Sequence, residues 1–271
     1  MGNRQSRPWI VSDELWSLVK PLLPKPDPKK VEGRPRVPDR QALCGILFVL
    51  HTGIQWEYLP QELGFGSGMT CWRRLPAWNE AGVWERLHQL LLNELRSKNR
   101  LDWERAVIGS PRAGRTQGPK NGPSPVDRAR PGSKHHLITD GQDIPLAVPL
   151  TGGNRNDVTQ LEPLLDRIPA AAGRVGRPRR RPDALLADRG YNHDKYRRLL
   201  WRRGIRPMVA KRGEPHGTGL GIFRYVVERT IAWLHGFRRL RIRWERRDDI
   251  HEAFLGLAVC LITHCHAQRL C

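Results

Sequence analysis

The sequence lacks the features that mark membrane or secreted proteins. No apolar run is long enough to span a bilayer, and no signal-peptide pattern opens the chain. The 5 cysteines form an odd, scattered set, which argues against a disulfide framework. Internal repeats are absent as well. We therefore expect a cytoplasmic globular protein that does not enter a membrane.

Acidic residues are scarce relative to basic ones. The 271 residues include 47 Lys and Arg but only 27 Asp and Glu, giving a net charge of +20. Such self-repulsion destabilises a compact protein unless a polyanion offsets it, and the dominance of Arg suits bidentate phosphate contacts. Hydrophobic residues, at 39% with 10 Trp, suffice for a sizeable core. The charge therefore favours a nucleic-acid partner over a merely solvated basic surface.

The first third of the chain has helical periodicity. Caps and apolar spacing predict helices from about Ser12, Asp39, Ser67 and Gly82, with Pro76 bending or ending the third. The third helix carries Arg73 and Arg74, so the series resembles a helix-turn-helix arrangement in which these arginines contact DNA. An ordinary helical bundle explains the same pattern equally well.

From Ala106 short apolar runs alternate with helical segments, which predicts an α/β fold. Strands are expected at 106–109, on both sides of a turn at Gly141, and at 183–187, whereas Pro111 to Gly132 is expected to be a loop. A second, strongly basic loop spans 174–182. We interpret its arginines as electrostatic contacts to DNA: Arg177, Arg179, Arg180 and Arg181.

Two acids stand out in the second half of the chain. Asp188 ends an apolar strand, where α/β proteins place ligands, and Glu228 lies on an amphipathic helix whose apolar face includes Val227 and Ile231. Arg224 precedes Glu228 by one helical turn and can share its face. Two carboxylates on different elements of a very basic protein indicate a metal site that acts on nucleic acid.

Longer motifs carry a resemblance over nearly the whole chain. They include GIQWEYLP, GPSPVDRARPGSKHHLITDG, IPLAVPLTGGNRNDVTQLEPLL, ADRGYNHDKYRRL, GLGIFRYVVERTIAWLHGFRRLRIRWERR and HEAFLGLA. These resemble DDE transposases of bacterial insertion sequences, in the group related to insertion sequences four and five. The resemblance implies a helical DNA-binding domain at about 1–98 and a ribonuclease-H-like catalytic domain at 99–271. It also implies two divalent ions, usually Mg²⁺, held by Asp, Asp and Glu.

The resemblance carries over residue by residue at two of the three acids. Asp188 matches the second acid, in an Asp-x-Gly-Tyr setting with Gly190 and Tyr191, and Glu228 matches the third, with Arg224 in an Arg-x3-Glu signature. Asp188 and Glu228 would therefore be magnesium ligands, and Arg224 would orient Glu228 or hold a phosphate. We expect further DNA contacts from Arg238 and Arg239, transposon inverted-repeat ends and target DNA as partners, and a homodimer or larger assembly in the nucleoid.

The first acid is missing. The family pattern ends its first strand with Asp, whereas this chain has Gly109 in Val-Ile-Gly-Ser. Asp102, Glu104 and Asp140 are poor substitutes by position, and Asp157 is expected to cap a helix or support the site. Three hypotheses follow: a transposase that is impaired or uses another ligand, a catalytically inactive protein occupying transposon ends, and an RNA- or chromatin-associated basic protein.

Two histidine-rich segments also invite a metal reading. His135 and His136 are more consistent with a strand beside the site than with a ligand set. Cys260 and His264 are one turn apart on an apolar terminal helix, but they lack the paired spacing of zinc modules.

Overall fold

A computed structural model describes residues 7–25, 35–114, 118–125, 128–209 and 220–269, and for 220–224 it describes the backbone only. The helices of the first third are α1 (Asp13–Val19), α2 (Asp39–Thr52), α3 (Gly68–Glu80) and α4 (Val83–Ser97). The Oγ atoms of Ser12 and Ser67 accept hydrogen bonds from the first turns of α1 and α3. These caps confirm the expected helix starts.

Helix α3 passes through Pro76 and ends only at Glu80, so of the two expected effects of Pro76, bending or ending the helix, ending is excluded. A proline removes one helical hydrogen bond and crowds the preceding turn. Here Leu75 and Trp78, on either side of it, are both buried. The packing of these side chains offsets the local cost.

The main sheet has five strands, in the order β6-β5-β1-β8-β9. Its members are β1 (Arg105–Gly109), β5 (Leu137–Asp140), β6 (Pro145–Ala147), β8 (Ala184–Ala187) and β9 (Arg206–Val209). Strand β5 is antiparallel to β1 and to β6, whereas β8 is parallel to both β1 and β9. This central first strand, with an antiparallel hairpin on one side and parallel strands on the other, confirms the ribonuclease-H-like core.

A smaller sheet lies beside it. Strand β4 (Pro131–His135) pairs with β2 (Arg112–Gly114), β3 (Gly122–Pro123) and β7 (Leu150–Gly152). The expected loop from Pro111 to Gly132 is therefore partly strand. Because β4 buries Ser133, Lys134 and His135 rather than apolar side chains, it carries no hydrophobic alternation.

The remaining helices are α5 (Leu161–Asp166), α6 (Asp194–Arg202), α7 (Leu220–Gly236), α8 (Arg238–Arg241) and α9 (Asp248–Gln268). Helix α7 packs on β1 and β5, and α9 packs against α3 and α4. By length and composition α9 could cross a membrane, contrary to our expectation of no such segment, but 67% of its apolar window is buried inside the protein. It is accounted for as a core helix.

The N-terminal helices and α9 share one hydrophobic core. Trp56 stacks on Phe254 with ring centroids 5.4 Å apart, and Cys260 Sγ donates to the carbonyl of Trp84 at 3.2 Å. Such contacts join the two halves of the chain by buried apolar surface. The proposed domain boundary near residue 98 thus separates two regions that pack together.

Candidate active site

The candidate site lies where β1 and β8 end side by side. Paired residues run from Arg105 with Ala184 to Val107 with Leu186, and continuing this register by two residues places Gly109 beside Asp188. Side chains at paired positions of neighbouring strands point to the same face of a sheet. The strand order therefore brings the first-acid position and the second acid together.

Helix α7 crosses this point. A Cβ atom built on Gly109 would lie 2.9 Å from Val227 Cγ2 and 3.2 Å from Ile231 Cδ1. A side chain at position 109 would therefore point toward α7, where Glu228 directly follows Val227. Positions 109 and 188 thus lie side by side, and the helix that carries Glu228 packs over position 109.

Contacts to the β5–β6 turn fix the position of α7. Thr230 Oγ1 donates to the carbonyl of Asp143 at 2.6 Å, and the Arg229 guanidinium pairs with the buried Asp143 carboxylate at 2.7 Å. Of the face expected from the sequence, Val227 and Leu234 are buried and Ile231 is half-buried, and Val226 is buried beside them. These contacts fix where Glu228 lies along the helix axis relative to the ends of the strands.

Both remaining acids of the triad are exposed to solvent. Asp188 accepts a hydrogen bond from its own turn, with Gly190 N at 2.8 Å. Glu228 faces outward from α7, on the turn after Arg224, whose side chain lies outside the described part of the structure. Two exposed carboxylates at the end of a buried strand and on the covering helix can receive a ligand from solvent.

A chain of hydrogen bonds runs beneath the site. Ser110 Oγ lies 3.0 Å from both Tyr191 OH and His136 Nδ1, and His136 Nε2 lies 2.7 Å from Thr151 Oγ1. Thr151 in turn donates to the Gly152 carbonyl. The network ties the residue after Gly109 to the turn that carries Asp188. The sequence indicated Tyr191 in its motif and His136 on a strand beside the site, but not that these side chains meet, because they lie far apart along the chain.

One assignment of donors and acceptors satisfies every hydrogen bond of this network. Thr151 donates onward, so it accepts from His136 Nε2–H, and Nδ1 is then free to accept from Ser110, which accepts from Tyr191. This assignment requires a neutral imidazole. Burial lowers the pKa of His136 to about 4 and raises that of the Tyr191 phenol, so both groups are neutral near pH 7.

The alternative acids lie elsewhere or are engaged. Asp102 and Glu104 precede β1, and Asp140 pairs with Ala106 near that same starting end, away from Gly109. Asp157 receives Lys134 Nζ at 2.8 Å, while Asn156, not Asp157, caps the following turn. The expected capping role of Asp157 is therefore wrong.

The histidine segments are placed as the sequence suggested. His135 and His136 are fully buried at β4, and His135 Nε2 lies 2.9 Å from His251 Nε2. Burial lowers the pKa of His135 to about 3, which keeps this pair neutral. Among the described residues, no group of three or more His, Cys, Asp or Glu could hold a metal ion.

The arginines of the helical regions that were expected to contact DNA form two groups, one buried and paired with acids and the other exposed. Arg74 is 7% exposed and pairs with Asp39 at 2.8 Å, and Arg239 is 4% exposed, pairs with Glu245, and donates to the carbonyls of Gly53 and Ile54. Both guanidinium groups hold helices together, so their expected role as DNA contacts is wrong. Arg73 and Arg238 are exposed.

The basic loop lies at the opposite end of the sheet from Asp188. Arg177 O accepts from Arg96 of α4, and Arg179 pairs with Asp183 immediately before β8. Asp183 and the four residues of β8 separate the loop from Asp188, which corresponds to about 20 Å of extended chain. Arg177, Arg180 and Arg181 are exposed there.

The strand order defines the chain as a ribonuclease-H-like protein. Two family profiles match it: "Putative transposase of IS4/5 family" over residues 11–88 and "Transposase DDE domain" over 102–263. The chain belongs to the DDE transposase family of insertion sequences. DNA binding and recombination follow from that membership, and enzymes of this family generally use divalent metal ions.

Individual relatives agree with the profiles. The chain is 61% identical over 158 residues to "Putative transposase for insertion sequence element IS402" of Burkholderia cepacia, which covers 58% of this chain and 74% of the relative. It is 54% identical over 103 residues to "Insertion element IS402 uncharacterized 16.2 kDa protein" of the same organism, covering 37% and 70%. The "Crystal structure of a pre-cleavage Mos1 transpososome" matches 88% of this chain and 82% of the other at 13% identity, with a TM-score of 0.28.

Proposed function

We propose that this chain is a transposase that binds the inverted-repeat ends of its insertion sequence, and that its cleavage and strand-transfer activity is impaired by Gly109. The convergence of Gly109, Asp188 and α7 on one corner of the sheet carries this proposal. Asp188 and Glu228 are assigned as catalytic carboxylates, and Arg224 as the residue that orients Glu228 or a phosphate. A homodimer or larger assembly, in the cytoplasm at the nucleoid, is proposed with it.

The two acids are of the chemical type that binds a divalent cation, but two are fewer than the three carboxylates of the family pattern. Asp188 and Glu228 offer the hard oxygen ligands that Mg²⁺ prefers. A pair of ions, when bound in such sites, stabilises charge on the attacking and leaving oxygens of a phosphodiester. Position 109 contributes no side-chain oxygen, so the carboxylates present do not complete a two-ion site.

The same corner supports a second candidate function, a catalytically inactive protein that occupies transposon ends. Val227 and Ile231 fill the space into which an acid at position 109 would project. The chain keeps the fold and its basic surface without the full acid set. Such a protein would bind the ends and inhibit intact relatives.

A strand-cleavage assay tests both functions. A duplex with the inverted repeats that flank the gene is incubated with Mg²⁺ or Mn²⁺ and wild type, Gly109→Asp, or Gly109→Asp combined with Asp188→Asn or Glu228→Gln. We expect Gly109→Asp to cleave at least about 100-fold faster than wild type, since lost metal coordination costs several kcal/mol of transition-state stabilisation. Either additional substitution should abolish the gain.

Two outcomes would revise these assignments. Rapid cleavage by wild type that Asp188→Asn abolishes would show that another ligand replaces the first acid. A folded Gly109→Asp variant that binds the ends but remains inert, also when Val227→Ala makes room for the new side chain, would refute position 109 as the first-acid position. End binding by wild type without cleavage, combined with cleavage by Gly109→Asp, would establish the inactive end-binding protein.

A further inference from the structure

Helix α6 connects the candidate active site with the distant basic loop. Residues 194–203 contain five basic side chains and a single acid, Asp194. The helix begins six residues after Asp188. At its other end, Arg181 of the basic loop donates to the carbonyl of Arg203 at 2.6 Å. The helix therefore spans the distance between the two regions.

Two of the five basic side chains hold the helix in place. Arg203 pairs with Asp166 at 2.6 Å and with Glu162 at 2.7 Å, which ties α6 to α5. Arg197 Nη1 reaches back to Asn192 Oδ1 and the Val209 carbonyl. These guanidinium groups have structural partners that explain their presence.

The other three point outward. Lys195, Arg198 and Arg202 are exposed, and among the residues that the structure describes no acidic side chain pairs with them. Their spacing of three and four residues puts them on one side of the helix, along about 10 Å. We call this set, together with Trp201, the α6 basic face.

Trp201 lies in the same surface and is 58% exposed. With Lys195, Arg198 and Arg202 it lines a shallow depression of about 520 Å³. A large exposed aromatic ring is unfavourable in water, and among cations it suits packing against sugars or bases of nucleic acid. Its neighbours Leu199 and Leu200 are buried, so Trp201 is not needed for the core.

We propose that the α6 basic face binds the phosphate backbone of duplex DNA that runs from the candidate active site toward the basic loop. Lys195, Arg198 and Arg202 contact phosphates, and Trp201 packs against a sugar or base beside them. Unpaired charge of one sign over 10 Å matches a polyanion, and α6 leads directly away from the turn that carries Asp188. This inference rests on the proposed function and assigns it a surface.

Salt-dependent binding tests the assignment. Fluorescence anisotropy of a labelled duplex gives Kd at several KCl concentrations for wild type and for Lys195→Gln/Arg198→Gln/Arg202→Gln. Loss of three phosphate contacts should weaken binding at least about tenfold and reduce the slope of log K against log salt by about 3. Trp201→Ala should weaken binding about fivefold while leaving the slope unchanged.

A matched control removes the same charge elsewhere. Arg130, Arg246 and Arg269 are exposed and lie outside the expected helical DNA-binding domain, the basic loop and α6, so Arg130→Gln/Arg246→Gln/Arg269→Gln should change the slope much less. Equal slopes for the two triple variants would overturn the α6 assignment while leaving the proposed function intact. Wild type that binds no DNA would overturn both.

A second readout does not depend on the stability of the triple variant. A photoreactive benzoylphenylalanine replacing Trp201 should crosslink to the duplex upon illumination, and the same replacement at Arg269, which is exposed at the end of α9, should not. Absence of a crosslink in a chain that binds the duplex with wild-type affinity would refute contact at this face.

Discussion

The two ends of the main sheet place an aspartate in opposite environments. Asp140 is the last residue of β5, is fully buried, and accepts backbone hydrogen bonds from Asp102, Gln142 and Ile144. Asp188 follows β8 and is exposed. Because β5 runs antiparallel to β1 and β8 runs parallel to it, the same sequence pattern, an acid after an apolar strand, lands at opposite ends. Strand direction thus separates a structural acid from a candidate catalytic one.

A buried titratable group at each end of the sheet has its pKa shifted, and the two shifts differ in direction. Burial raises the pKa of Asp140 to about 7, outweighing the three backbone donors that lower it. At the site end, burial lowers the pKa of His136 to about 4. One buried group thus resists losing a proton and the other resists gaining one.

The largest expected effect concerns cleavage by the two acids. In a Gly109→Asp background, Asp188→Asn should reduce cleavage at least about 100-fold, whereas Asp140→Asn should change it less than about threefold, since only Asp188 adjoins position 109. Rates are compared below the unfolding temperature of each variant. Comparable losses from both substitutions would show that the two ends do not differ as described.

The next effect is on stability against pH. The raised pKa of Asp140 means that its folded form binds a proton more tightly than the unfolded chain does. The contribution of Asp140 to the stability of the fold is therefore complete below about pH 4 and is lost as the pH rises through about 7. Relative to that of wild type, the free energy of unfolding of Asp140→Asn should rise by on the order of 2–4 kcal/mol between pH 4 and pH 7. Urea unfolding at both pH values measures this difference.

His136 provides the control of opposite sign. Its folded form binds a proton more weakly, so its contribution is complete above about pH 6.5 and is lost as the pH falls toward about 4. The free energy of unfolding of His136→Asn, relative to that of wild type, should therefore increase as the pH falls over this interval. If both substitutions shift stability in the same direction, the assigned environments are wrong.

The sequence predicted the elements but not every partner of the site. Apolar runs located β1 and β8, which are buried along most of their length, and helical spacing of apolar residues located α7 and α9. The smaller sheet was missed because β4 buries polar side chains. Ser110, His136 and Thr151 meet only through strand pairing, which no local pattern encodes.

Charge was the least informative pattern at the level of single residues. Arg74 and Arg239 occur in basic segments much like those of α6, yet both are buried and paired with acids, Asp39 and Glu245. The partner carboxylates lie on other elements or after a turn, so exposure cannot be read from neighbouring residues. Net charge predicted the class of partner, whereas only the fold separates structural arginines from outward ones.

The smallest expected effect concerns the link between Tyr191 and Ser110 at the site end. Tyr191→Phe and Ser110→Ala each remove one side of a 3.0 Å hydrogen bond and should destabilise the fold by about 1 kcal/mol. In the double variant the losses should fall short of their sum by about 0.5–1 kcal/mol, because both remove the same bond. Additive losses in urea unfolding would mean that the bond contributes nothing. Phe and Ala are matched to the native side chains in shape, so the cycle isolates the two hydroxyls that tie the end of β1 to the Asp188 turn.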